Sequence, residues 1–342
     1  MLGTEPWCID QISVEAGILA MDGWALAPFG RHSDLTFTVD DQDFAQIEFP
    51  RPRADIGTIF WFMEGSKEAA FRCRTPLATG SGHATLRCVR RDTRLPLREE
   101  YDYYYPIRGD EPPLPDEARR RRVAGNPSAE VFRLVGFTTL MKLERVLATQ
   151  GKRLRDARSV LDWGCGCGRI TRYLPRFTAA RVTGVDIDAD NLAWCLEHLP
   201  FGEFHRVPLR PPTDLPASAF DLVIGISVCT HLREIEQLAW LGELQRVAAP
   251  GALLLLTVHA DTDVSRSQFS MSLYEQWRES GFLVIHDNTE LSSHIDEKDY
   301  YVSAYMTRSH VEQSWSRFFE IRAIVPGLIG NHQDLVVLQK PG

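Results

Sequence analysis

Long apolar runs are missing from this 342-residue sequence. Stretches such as Ala252–Leu256 break after a handful of residues, far short of the roughly 20 a bilayer-crossing helix needs. A basic surplus is missing too: 38 Lys and Arg face 46 Asp and Glu, for a formal charge of −8. That balance excludes a general nucleic-acid binder, because neutralising phosphates needs a cationic face. The seven cysteines have no repeated spacing. Reduced thiols are expected, without a disulfide framework or a metal site. Met1–Gln11 has neither a basic nor an apolar leader region, so the expected compartment is the cytoplasm, with no membrane and no nucleic acid among the partners. What remains is an ordinary composition, 44% hydrophobic and 25% charged, in a chain long enough for two domains.

The most informative stretch is Ser159-Val160-Leu161-Asp162-Trp163-Gly164-Cys165-Gly166-Cys167-Gly168-Arg169-Ile170-Thr171. An apolar run ends in an acid, glycines follow at every second position, and Ile170, Tyr173 and Leu174 recur at helical spacing. This predicts a strand, a tight turn and a helix over 169–174. Glycine removes the Cβ where the backbone must turn sharply and let a ligand approach, and the helix start offers N–H groups. A second strand, Arg181–Asp186, ends in another acid. A carboxylate there can accept hydrogen bonds from both hydroxyls of a ribose, which supports a nucleoside without naming it. A dinucleotide fingerprint would read G-x-G-x-x-G, whereas the spacing here is D-x-G-x-G-x-G.

That pattern resembles the S-adenosylmethionine-dependent methyltransferases of the Rossmann-like class, and the resemblance runs from about Arg122 onward. Downstream, Phe220-Asp221-Leu222-Val223, then Thr230-His231-Leu232, a helix, Pro250-Gly251 and the strand Ala252–Val258 resemble the central part of methyltransferases of small molecules and glycans. The resemblance implies an α/β fold with a seven-stranded sheet, closed by antiparallel strands at Glu320–Val325 and Asp334–Gln339. It implies S-adenosyl-L-methionine as cofactor, cradled by Asp162, Gly164, Cys165, Gly166 and Gly168, with Asp186 and the adjoining Ile187 at the ribose. Ligands of such sheets sit outside the carboxyl ends of the strands, which makes Val207 and Leu209 the expected wall for adenine and places Ser227 beside the cofactor. Relatives commonly cover the methionine end with a segment before the glycine loop, here Arg122-Val123-Ala124-Gly125. On the acceptor side, Tyr305 and Gln333-Asp334 match recurrent residues. Tyr301 and His332 are expected beside them.

The first hundred residues read differently. Runs at 17–26, 35–39, 44–49, 58–63, 69–74, 84–89 and 100–105 are rich in β-branched and aromatic residues, with turn signals at intervals of roughly ten residues. They predict an all-β, immunoglobulin-like sandwich over 1–105, in which Trp24 either packs in the core or stacks on a sugar. The proline-rich 106–127 reads as a linker, and 128–342 as the methyltransferase domain. An apolar stripe through Val131, Leu134, Leu140 and Leu147 predicts a helix against the parallel sheet.

Methyl transfer to a hydroxyl or amine requires loss of a proton, and histidine titrates in the right range. Four histidines, 231, 259, 294 and 332, fall in loops or strand ends, with His231 and His294 the candidate bases. The expected partner is a small-molecule or glycan acceptor, and a homodimer is also considered. A nicotinamide-dependent oxidoreductase should carry a Tyr-x-x-x-Lys dyad or the dinucleotide spacing, and neither occurs. A non-catalytic binding protein on the same fold is opposed by the intact acids and glycines. Asp287-Asn288 lies too late in the chain to match the divalent-metal site of catechol methyltransferases.

Overall fold

The computed structural model describes residues 7–77, 82–97, 101–107, 111–259, 269–285, 297 and 300–342. The chain forms two compact units, one of residues 1–111 and 124–142, the other of 112–123 and 143–342. These limits differ from the expected 1–105, 106–127 and 128–342. The proline-rich segment contains a helix, α2 (Glu117–Ala124), and the following helix, α3 (Ala129–Thr149), is divided between the units.

The first unit holds β1 (Trp7–Glu15), β2 (Ile18–Ala25), β3 (Leu35–Val39), β4 (Gln42–Asp43), β5 (Gln46–Arg51), β6 (Ala70–Pro76), β7 (His83–Arg90) and β8 (Tyr103–Pro106). They form two four-stranded antiparallel sheets, β1-β2-β6-β5 and β4-β3-β7-β8. Alternate residues of both sheets meet in one core. Trp7 of β1 lies 6.2 Å from Phe37 of β3 and 5.0 Å from Tyr103 of β8, ring centre to ring centre. Each such buried aromatic contributes about 1.5–3 kcal/mol of transfer free energy. Trp24 is buried against Phe60, 5.4 Å away.

Three expectations need correction in this unit. Strand β1 lies upstream of the runs the sequence suggested. The run at 58–63 is not a strand, because a short helix, α1 (Ala54–Ile59), occupies its start, with Asp55 in the first turn where the helix dipole favours an acid. The apolar stripe of α3 does not lie wholly on the parallel sheet: Val131 and Leu134 belong to the aromatic β core beside Trp7 and Tyr105.

The second unit holds a mixed sheet with nine strands among the described residues. Its parallel part, β11-β10-β9-β12-β13, consists of β9 (Ser159–Trp163), β10 (Arg181–Asp186), β11 (Gly202–Arg206), β12 (Phe220–Gly225) and β13 (Ala248–His259). All five residues of β9 are buried, as expected for a central strand covered on both faces. Helices α4 (Ala189–His198) and α5 (Glu234–Val247) join the parallel strands, and Asp188 caps α4 by accepting from the Asp190 and Asn191 N–H groups. Strand β17 (Gln333–Gln339) runs antiparallel beside β13, and β16 (Glu320–Ile329) pairs with β17.

The sheet exceeds the seven strands expected, because β14 (Phe282–Ile285) and β15 (Ser303–Met306) form a branch. Pairing between β12 and β13 stops at Gly225–Leu256, while β13 continues to His259. The edge left open there is taken by Tyr305 of β15, and the opposite edge of His259 pairs with Gln333. Among the described residues, no helix is long and apolar enough to cross a membrane.

Candidate functional site

The parallel strands all point their carboxyl ends at one rim of the sheet, and the sequence candidates gather there. At the centre, Gly164, Gly166 and Gly168 adopt φ of +74°, +54° and +76°. A Cβ on Gly164 would stand 2.4 Å from Val228 Cγ2, and one on Gly168 would stand 2.4 Å from Leu199 Cδ1. The glycines thus let the turn pack against its own protein. The loop is pinned to β10, since Gly164 and Cys165 donate to the Val185 carbonyl at 2.8 and 3.1 Å. The following element is a 3-10 helix, Thr171–Arg176, where a helix was expected at 169–174.

Both acids sit at this turn. Asp162 is buried and accepts from the Thr171 hydroxyl; burial raises its carboxyl to about 6, with the Thr171 bond opposing. Asp186 accepts from the Gly166 N–H at 2.7 Å and from the Asp188 N–H at 2.9 Å. Desolvation raises it too, to about 6, against those backbone bonds. The Cys165 thiol is buried, its Sγ 3.6 Å from the Gly166 carbonyl, and its hydrogen bonding with Cys195 and burial push it well up.

Arg122 takes a position the sequence did not suggest. Its guanidinium pairs with Asp188 at 2.9 Å and Asp190 at 2.7 Å, and donates to Asn191 at 3.2 Å. Its neighbour Val123 instead covers the loop, 3.0 Å from where a Gly166 Cβ would stand. The guanidinium directly after the loop belongs to Arg169. Burial lowers its pKa, and Cys167, Asp162 and Tyr301 are the groups whose charge opposes that shift.

Beyond the ends of β10 and β11, Ile187, Arg206, Val207, Pro208 and Leu209 line a cleft of about 280 Å³. Three of the five were sequence candidates. The Leu209 carbonyl is held by Trp240 Nε1 at 3.1 Å and by the Tyr300 hydroxyl, which fixes the wall. Across the rim, Ser227 has φ of +61°, a conformation that costs a non-glycine residue of order 1–3 kcal/mol. Its N–H donates to Thr257 Oγ1 at 2.7 Å, and its hydroxyl meets the Gln333 amide at 3.0–3.1 Å.

The remaining candidates cluster around the end of β13. His231 Nδ1 lies 3.0 Å from the Val302 carbonyl, and its ring stacks on Tyr301 at 4.2 Å. His259 stacks on Tyr305 at 4.9 Å and stands 5.5 Å from His332 and 6.2 Å from His231. His332 Nδ1 takes the Gly330 carbonyl at 2.7 Å. Asp334 accepts from the Gly327 N–H at 2.8 Å. His294, Asp287 and Asn288 lie outside the described residues. Sequence reasoning left out Arg169, although its place after Gly168 is a signal, and Arg206, and it did not choose His259 as a candidate base.

Residues 160–251 match the family model described as a methyltransferase domain. Over this stretch the chain is similar to methyltransferases. It is similar to trans-aconitate 2-methyltransferase of Azoarcus sp. (strain BH72), 36% identical over 111 residues, which are 32% of this chain and 42% of that one. It also resembles ajmaline N-methyltransferase of Rauvolfia serpentina, 28% identical over 133 residues, 36% of this chain and 43% of that one. This chain spans less than half the length of these curated relatives. Among solved structures, an N-methyltransferase of Bradyrhizobium japonicum WM9 in complex with S-adenosyl-L-homocysteine is a loose likeness, with 14% identity and a TM-score of 0.42 over 66% of this chain and 100% of that one.

Proposed function

We propose that this protein transfers the methyl group of S-adenosyl-L-methionine to an oxygen or nitrogen of a small molecule. The observation that carries the reading is the convergence, on one rim of the sheet, of a three-glycine turn held by Asp186, an apolar cleft and a histidine–tyrosine cluster. These residues fit the cofactor. Asp186 accepts the Gly166 and Asp188 N–H groups on different oxygens, and a carboxylate has further lone pairs for a ribose hydroxyl. Ile187, Val207 and Leu209 offer adenine an apolar slot. Because Arg122 is committed to Asp188 and Asp190, Arg169 is the guanidinium assigned to the carboxylate of the amino-acid end.

When bound, the sulfonium supplies an activated methyl group. The protein's task is then to orient the acceptor, exclude water and accept a proton. Well-oriented partners can reach effective molarities of about 10⁵ M or more, and a base adds about 10² to 10⁴. Tyr301, Tyr305, His332 and Gln333 form the acceptor side, and His231, its Nδ1 directed at the Val302 carbonyl, stands beside them. The curated relatives are named for trans-aconitate and ajmaline, dissimilar small molecules, which supports the class of acceptor and not one member.

The N-terminal unit is proposed as an immunoglobulin-like sandwich, supported by its two sheets, β1-β2-β6-β5 and β4-β3-β7-β8. A glycan acceptor would give it a recognition role. Calorimetry with S-adenosyl-L-methionine, S-adenosyl-L-homocysteine and NAD tests the main reading: the two sulfur compounds bind and NAD does not. Binding of NAD alone, or of none of the three at millimolar concentration, overturns it.

A further inference from the structure

His259 is a buried histidine at the centre of the rim, and the sequence reading gave it no part in the reaction. It ends β13, with Tyr305 on one strand edge and Gln333 on the other, so the backbone holds it between two acceptor-side residues. Its ring is enclosed by Tyr305 at 4.9 Å, His332 at 5.5 Å and His231 at 6.2 Å. Both flanking histidines direct Nδ1 to backbone carbonyls, of Val302 and Gly330. Among the described residues His259 Nδ1, by contrast, has no hydrogen-bond partner within ordinary distance, though the residue is only 9% exposed. Native proteins rarely leave such an atom unpaired, and the exceptions call for an explanation such as a catalytic role or a missing ligand. The three histidines do not make a metal site: among the described residues no group of three or more His, Cys, Asp or Glu is arranged to hold one.

We propose that His259 Nδ1 is the contact for the acceptor's nucleophilic heteroatom, taking a hydrogen bond from its O–H or N–H. The assignment rests on the methyltransferase reading and adds the residue that selects a protonated nucleophile. As the acceptor's lone pair bonds to the methyl carbon, the carbon–sulfur bond breaks with its electron pair going to sulfur, and the acceptor's proton passes to the imidazole. Burial, then the neighbouring His332 and His231, hold the His259 ring well below the usual histidine pKa, against the Ala304 backbone. The ring is therefore neutral at pH 7 and has a lone pair to offer. A neutral acceptor site of this kind favours alcohols, phenols and amines over carboxylates.

The test uses the full chain saturated with S-adenosyl-L-homocysteine and labelled with ¹⁵N at histidine. Phenol, benzylamine and benzoate are titrated as probes, and the His259 signals are identified by their loss in His259→Phe. Phenol or benzylamine is expected to move the His259 Nδ1 resonance upfield while benzoate does not. His259→Phe should abolish that probe's binding, His259→Gln should retain part of it, and both should bind S-adenosyl-L-homocysteine within twofold of the parent. The proposal is overturned if benzoate alone moves the resonance, or if no probe does while the homocysteine compound binds. Failure of that compound to bind the parent chain rejects the methyltransferase reading itself.

Discussion

Asp186 is a residue whose surroundings set the conditions under which the protein works. Its carboxyl titrates near 6 because the glycine turn desolvates it. Ribose hydroxyls donate best to the ionised form, so affinity for S-adenosyl-L-homocysteine is present above pH 6 and falls as pH drops through that value, by up to about tenfold per unit. Asp186→Asn should bind more weakly at pH 7.5 and lose the pH limb, as measured by calorimetry from pH 5 to 8. The linked effect on stability has the opposite sense. The folded state holds the proton at pH values where the unfolded carboxyl, near 3.9, has released it. This group's contribution is therefore fully present below about 3.9 and declines as pH rises through 6. Arg169 allows a sharper comparison. Arg169→Met should weaken S-adenosyl-L-homocysteine at least tenfold and leave 5′-methylthioadenosine, which lacks the amino-acid carboxylate, nearly unchanged. Equal losses for the two would remove Arg169 from the carboxylate.

At the scale of elements, the glycine turn depends on what surrounds it as much as on what it binds. Gly168 combines φ of +76° with a Leu199 methyl 2.4 Å from its absent Cβ. Gly168→Ala should therefore cost about 1–3 kcal/mol in unfolding free energy, from overpacking and backbone strain. Chemical denaturation with and without Leu199→Ala measures it, and the second substitution should return the packing part and leave the strain. The turn and its acids were readable in advance because local chemistry dictates them: alternate glycines, an apolar run ending in Asp162 and a second strand ending in Asp186. Strand β10 falls at the residues expected. The pairing of β14 with β15 as a branch of the sheet was not readable, because it depends on where β12 stops alongside β13.

For the whole molecule, the division into units runs through helix α3, between residues 142 and 143, as well as through the proline-rich segment. Val131 and Leu134 lie in the core of the β unit with Trp7, Tyr103 and Tyr105. A chain shortened to begin at residue 112 keeps the named site residues and loses the β core around those two positions. It should bind a hydrophobic dye and show a lower thermal midpoint than the full chain. An unchanged midpoint and no dye binding would show that this stretch of α3 needs no cover. Sequence periodicity marks α3 as amphipathic, yet it carries no label for which core the stripe meets.

The sequence by itself determined the class of ligand loop, the two acids at its ends and the alternation of strand and helix around it, since each follows from neighbours a few residues apart. Only the tertiary structure decided the partners of Arg122, the nine-strand count and the setting of His259. In these cases the groups that meet are tens of residues apart in the chain, and the geometry of pairing, burial and desolvation exists only once the sheet has formed.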